Sequence, residues 1–507
     1  MSTPSLNAAR RTRELDELKA GAALDVLVVG GGITGAGVAL DAAARGLTVA
    51  LVERRDLAHG SSRWSSKLIH GGLRYIAQGR PLIAFESARE RAFLLANTAP
   101  HLVRPFQMLL PYTASLGRLG ALRYWLGGVI MNAMRIAAGS ARELLPPPRQ
   151  VSAAEALRLV PALAPGGLRG GLLYWDAQVE DDARLVIAIA RTAAAWGARI
   201  LTYVAAEQLR GDGARLRDER SGATFEVKAR HVVNATGVWA STLAPEVVLR
   251  PSKGAHLVVR SSTLGDPRAA FTAPVPGHPH QYVFAVPQPD GTTYVGLTDD
   301  PLEGPLPEVP TATAEEVAFL CAGISASLGR PLEERDVVGT FAGLRPLLAG
   351  GPSATRDLSR RHAVLRGRDG VLTIVGGKLT TYRQMAQDVV DRISKVRCAT
   401  RTLPLVGAAT PAALRALDAP ARLIRRYGAE APAVVAMAGG DPSLLERIDP
   451  AVPVLPVELL FGLAHEGALT ADDLLDRRTR LGLVPTDRAR LAPAAERLVA
   501  AASAART

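Results

Sequence analysis

The 507-residue sequence predicts an α/β fold in three parts: a parallel sheet-and-helix core assembled from separated segments, a distinct antiparallel sheet, and a C-terminal all-helical domain. Three patterns predict it. An apolar run at 25–29, a glycine cluster, a helix rich in small residues and a second apolar run at 48–53 form a βαβ signature. Alternating runs at 282–286 and 292–297 flank the turn Pro287-Gln288-Pro289-Asp290-Gly291 and read as an antiparallel pair. Beyond Pro404 the composition shifts to Ala, Leu and Arg in helical stretches, read as a separate domain over 405–507.

Hydrophobic residues make up 48% of the chain and charged residues 21%, enough apolar material for sizeable cores and against wholesale disorder. The formal net charge of +12 favours acidic ligands, nucleic acid or an anionic membrane surface. No basic motif interleaved with aromatics occurs, so nucleic acid is not expected. The two cysteines, Cys321 and Cys398, lie far apart. No metal site and no disulfide framework are expected, and a reducing compartment fits.

Taken in order, residues 1–20 are polar, lack the apolar core of a signal peptide, and read as a short solvated helix or a frayed tail. Helices are expected at 33–45, 82–97 and 181–196, the last ended by Gly197. The segment 105–111 is ambiguous. Residues 116–138 form the one membrane-like stretch, but Arg118, Arg123 and Arg135 interrupt it. It reads as an interfacial amphipathic helix or as a buried helix pair broken at Gly127-Gly128. Strands are expected at 199–204, 225–234, 256–260 and 371–375, a Pro-rich linker at 304–310, and a helix at 380–396.

Gly30, Gly32 and Gly35 have the spacing G-x-G-x-x-G between the first strand and its helix. The first glycine permits the tight turn, the second lets backbone approach a pyrophosphate, and the third lets helix pack on strand. The helix N-terminus then faces the phosphates. Glu53 ends the second strand, where a carboxylate can accept from an adenosine ribose. This spacing alone does not separate NAD from FAD. The chain returns to two further strand–glycine junctions, at Gly237 and at Gly376-Gly377. Repeated return to one dinucleotide suits FAD in a Rossmann-like domain built from separated segments.

Longer blocks in matching order carry a resemblance. They are VVGGGITGAGVALDAAARGLTVALVERRDLAHGSS, SSKLIHGGLRYIAQG, WDAQVEDDARLV, VVNATGVWA, KGAHLVV, GLTDD, GLRPL, TRD and VGGKLTTYRQMA. Together they resemble the FAD-dependent glycerol-3-phosphate dehydrogenase family, of the glycine/D-amino-acid oxidase type. The resemblance implies an FAD-binding domain (about 21–75, 165–250 and 340–396), an antiparallel-sheet substrate domain (about 76–164 and 251–339) and a helical cap domain. It implies FAD contacts from Ser61, Ser62, Ser66, Lys67, Leu68, Gly377, Lys378, Leu379 and Thr380 beside Gly30, Gly32, Gly35, Glu53 and Gly237.

The resemblance also implies oxidation of glycerol 3-phosphate to dihydroxyacetone phosphate, with electrons passing to membrane quinone, or to oxygen in the oxidase branch. A homodimer attached peripherally to the cytoplasmic membrane face is expected. Arg74, Tyr75, Arg345, Arg356 and Lys378 are the implied substrate contacts, since arginine forks suit phosphate. His70 or His256, assisted by Arg345, is the implied proton acceptor, and hydride goes to the flavin. His70 and Arg74 share a face if helical, but Gly71-Gly72 makes a loop an equal reading. Arg63 and Trp64 depart from the small residues common in that loop. A non-catalytic flavin-binding regulator is the remaining alternative from another class.

Overall fold

Alternating side chains of the first strand, Leu24–Val29, are buried on both faces, which is possible only where a sheet is covered on both sides. The computed structural model describes residues 4–71, 81–113, 116–278, 281–349 and 362–504. In it that strand lies centrally in a largely parallel sheet. The order is Ala363–Arg366, Leu372–Val375, Thr224–Asn234, Leu24–Val29, Val49–Glu53, Arg199–Thr202. Val26 and Val28 pack beneath the helices Ile33–Ala44, Asp182–Ala195 and Tyr382–Val390. Leu27 and Val29 face the opposite layer, made by an antiparallel meander through residues 204–228 and by the N-terminal helix.

That helix corrects the expectation of a solvated or frayed tail. Ala8–Lys19 is capped by Asn7, and Leu15 and Leu18 join the core. Arg10 pairs with Glu14 at 2.6 Å and donates to the Ala194 and Ala198 carbonyls. Arg11 binds the Thr202 carbonyl and Asp218. Arginines that look solvent-bound in sequence satisfy buried carbonyls at the end of the sheet.

The second sheet has ten strands and is mostly antiparallel. Tyr282–Pro287 and Thr292–Gly296 pair antiparallel across the turn, as their alternation predicts. Ser252–Arg260 is flanked by Thr292–Gly296 and Val337–Arg345. The ambiguous segment is a strand, Val103–Pro111, paired along its length with Gly171–Val179. Three strands assigned by sequence to the dinucleotide segments, Leu68–Ile69, Gly171–Val179 and Val337–Arg345, belong to this second sheet. They carry the chain across between the two layers.

Residues 117–137 form one continuous helix, Gly117–Ala137, with no break at Gly127-Gly128. Gly128 lets it lie close on Leu172, where an added Cβ would meet a Leu172 methyl at 3.2 Å. Ala121, Tyr124 and Met131 face the sheet. Leu122, Trp125, Leu126, Val129 and Ile130 are exposed on the outer side. The helix predicted over 380–396 ends earlier, at Val390, after the turn Leu379–Thr381. Residues 411–504 are helical, with two small cores of their own.

Candidate functional site

The glycine loop is built as its spacing requires. Gly30 has φ +111°, and an added Cβ would lie 2.6 Å from the Ala235 carbonyl oxygen. The same addition on Gly35 would lie 1.8 Å from the Gly30 oxygen. On Gly32, the helix N-cap, it would meet Ser62 Oγ at 3.0 Å. Gly30 therefore sits directly against the second strand–glycine junction, residues 235–237, where Gly237 has φ +62°. The loops after the four central parallel strands thus gather at the C-terminal edge of the sheet, where α/β folds bind ligands.

Glu53 accepts from the Gly31 amide at 2.6 Å and from the Arg55 amide at 2.9 Å. Burial raises its carboxyl pKa against those two amides. Ser62 Oγ accepts from the Ile33 amide at 2.9 Å, so it caps the helix that would face a phosphate. Ser61 donates to the Leu344 carbonyl at 2.6 Å, tying this loop to the strand that ends at Arg345. A backbone cradle closed to side chains, a helix start and an acidic strand end fit a dinucleotide. The residues present can hold FAD.

The Lys67 side chain turns inward to a buried carboxylate. The residue has φ +59°, and its ammonium is fully buried on Asp182 Oδ1 and the Arg63 carbonyl, at 2.6 and 2.7 Å. Burial lowers its pKa against the pull of Asp182. Its side chain ties this loop to helix Asp182–Ala195. Leu68 opens the edge strand, half-buried against the second sheet. The bulky Arg63 and Trp64 fill a stack: Arg63 lies 4.1 Å over Trp64, Trp64 stacks on Phe341, and Phe341 on His256.

His256 lies on Ser252–Arg260, parallel to Phe341 with centroids 4.5 Å apart. Its Nε2 shares a hydrogen bond with Ser66 Oγ at 2.8 Å. Burial, with Arg345 and Lys67 nearby, lowers its pKa to about 3. Arg345 lies against Gly254 and donates to Asp299 at 2.9 Å and Ser252 at 3.1 Å. His70 follows the edge strand and is half-buried. The next residue, Gly71, donates its amide to both oxygens of Asp176, at 3.0 and 3.2 Å.

Gly377 has φ +78°, with His362 and Met385 packed against it. Lys378 then donates to Ser87 Oγ at 2.5 Å. Leu379 and Thr380 form the turn that opens helix Tyr382–Val390, with Thr380 buried. Arg74, Tyr75 and Arg356 lie outside the described residues. Sequence reasoning missed Ser87, Glu90, Arg91 and Asp176. Their signal was present: Ser87, Glu90 and Arg91 fall at helical spacing, and Asp176 stands in the block WDAQVEDDARLV.

Comparison with known proteins agrees with this geometry. Residues 25–383 match the FAD dependent oxidoreductase family, and residues 398–504 match the C-terminal domain of alpha-glycerophosphate oxidase. The chain is similar to glycerol-3-phosphate dehydrogenase 1 of Mycobacterium tuberculosis, at 48% identity covering 97% of this chain and 98% of the relative. It is also similar to glycerol-3-phosphate dehydrogenase 2 of the same organism, at 40% identity over 90% of this chain and 81% of that one. The crystal structure of the glycerol-3-phosphate dehydrogenase from Bacillus halodurans complexed with FAD superposes with a TM-score of 0.74. It covers 97% of this chain and 92% of its own, at 29% identity.

Proposed function

This chain belongs to the FAD-dependent glycerol-3-phosphate dehydrogenases, within the FAD dependent oxidoreductase family, and we propose that it oxidises sn-glycerol 3-phosphate to dihydroxyacetone phosphate and passes the electrons to a membrane quinone. FAD is the cofactor and, when bound, supplies the hydride acceptor. The observation that carries the substrate reading is a histidine-bearing turn and a lysine-bearing loop, both tied to one helix, Pro81–Phe93.

Lys378 and Arg345 supply cations suited to a phosphate dianion or a developing oxyanion. Arg74, Tyr75 and Arg356 belong to the same proposal through the sequence blocks that carry them. His70 is favoured over His256 as proton acceptor. A histidine held near pKa 3 is a weak base at neutral pH, and His256 already shares its Nε2 with Ser66. His256 instead shapes the site through Ser66 and Phe341.

The exposed apolar side of helix Gly117–Ala137 supports the membrane reading. Among the described residues no helix is long and apolar enough to cross a membrane, so the contact proposed is peripheral. Oxygen as acceptor is the second reading, and the match of residues 398–504 to an oxidase's C-terminal domain favours it.

Anaerobic addition of glycerol 3-phosphate should bleach the oxidised flavin band. No bleaching would refute the substrate and leave a non-catalytic flavoprotein. Turnover with a quinone analogue should then exceed peroxide formation in air. Rapid peroxide release without quinone reduction would replace the first reading with the second.

A further inference from the structure

The turn carrying His70 and the loop carrying Lys378 come from different sheets and distant parts of the chain. One helix, Pro81–Phe93, touches the support of each. Ser87 and Arg91 are four residues apart, so they share a face one turn apart. Ser87 Oγ is buried, donates to the Ile83 carbonyl at 2.7 Å and accepts from Lys378 Nζ at 2.5 Å. One turn on, Arg91 Nη1 pairs with Asp176, the carboxylate that receives the Gly71 amide. Between them Glu90 takes both arms of Arg383, each at 2.7 Å. That pair locks the helix to Tyr382–Val390, which follows the Lys378 turn.

Arg91 also lies directly under Gly71, where an added Cβ would come within 2.6 Å of Nη1. Glu90, Arg91 and Asp176 are all buried. Buried pairs of this kind contribute little net stability, because desolvation offsets the Coulomb attraction. What they supply is fixed geometry, and rates fall steeply when reacting groups shift by about 1 Å.

We propose that the Ser87–Arg91 face of this helix, with Asp176, is a positioning device that sets the distance between His70 and Lys378 across the bound substrate. The proposal rests on the reading that His70 accepts the hydroxyl proton. Asp176 and Arg91 act through the Gly71 backbone, and Ser87 acts through the Lys378 ammonium.

The test uses the FAD-loaded protein. It measures the limiting rate of anaerobic flavin reduction by glycerol 3-phosphate per bound FAD, and the apparent substrate dissociation constant from the same titration. Asp176→Asn and Gly71→Ala should each lower the limiting rate by about tenfold or more while leaving the dissociation constant within about threefold. Ser87→Ala should show the opposite split, weakening substrate binding with little change in rate. FAD content and reduction by dithionite should stay at wild-type values throughout.

Asp176→Asn and Gly71→Ala reducing at the wild-type rate, while His70→Gln is slow, would overturn the proposal. Activity lost only in proportion to lost FAD would overturn it as well, since that marks a purely structural role. A His70→Gln variant with an unchanged rate would instead remove the premise about His70.

Discussion

Gly35 is the residue where local geometry leaves least freedom. Its Cα lies so close to the Gly30 carbonyl that one methyl group cannot be accommodated, because backbone, not a flexible side chain, is the obstacle. Gly35→Ala should cost about 1–3 kcal/mol of overpacking and yield protein largely without FAD, measured as the ratio of flavin to protein absorbance. His101 offers a second test. It is buried against Gly407 and Gly428, and burial, with Arg184 nearby, lowers its pKa to about 3. The folded state holds it neutral while the unfolded chain protonates it near 6.5. Its contribution to stability is present above the unfolded value and is lost as pH falls towards the folded one. His101→Gln should therefore flatten the acid decline of stability between about pH 6 and 4 by roughly 1.4 kcal/mol per pH unit. Denaturant titrations across that range would show it, and an unchanged slope would contradict it.

Helix Gly117–Ala137 shows how an element can satisfy two environments. Ala121, Tyr124 and Met131 seat it on the second sheet, and Leu122, Trp125, Leu126, Val129 and Ile130 look outward. Trp125 and Ile130 are 45% and 43% exposed, so replacing both with Glu should leave the melting temperature nearly unchanged. Each loses about 1.5 kcal/mol or more of apolar transfer, enough to weaken binding to anionic lipid vesicles by at least about tenfold. Vesicle co-sedimentation with both variants present singly and together would measure this. Equal sedimentation of mutant and wild type would remove the helix from the proposed membrane contact. The N-terminal helix is a contrasting case, since its polar surface is a docking surface.

At the scale of the whole molecule, the C-terminal domain is held by buried charge. Arg478 grips both oxygens of Asp56, at 2.6 and 2.9 Å, and Arg477 joins at 2.5 Å. Burial pushes the Asp56 carboxyl up, but Arg478 and Arg477 together hold it below the usual carboxylate range. Arg480 reaches Asp290 and the Glu180 carbonyl, and Arg184 reaches Glu466. Asp56 stands three residues after Glu53, in a loop whose Ala58 amide binds the Gly31 carbonyl at 3.0 Å. Hydrogen bonds thereby link the domain to the segment that holds the glycine loop. Asp56→Asn leaves two arginines buried without full compensation and should cost about 3–5 kcal/mol. Thermal unfolding and FAD content should fall together. FAD loss without any change in stability would argue against the coupling.

What the sequence determined by itself was the local geometry of the candidate cofactor site. The glycine spacing, Glu53, and the junctions at Gly237 and Gly377 are set by turns within a few residues, and the hairpin over 282–296 by alternation and a turn. The blocks around them carried the family. Tertiary structure alone decided the partners of the charges. Lys67 with Asp182, Gly71 with Asp176, Lys378 with Ser87 and Asp56 with Arg478 join residues far apart in sequence. No local pattern distinguishes an arginine that will be buried from one that will be solvated. The difference arises only when two sheets and a helical domain close around it and remove the water that would otherwise be its partner.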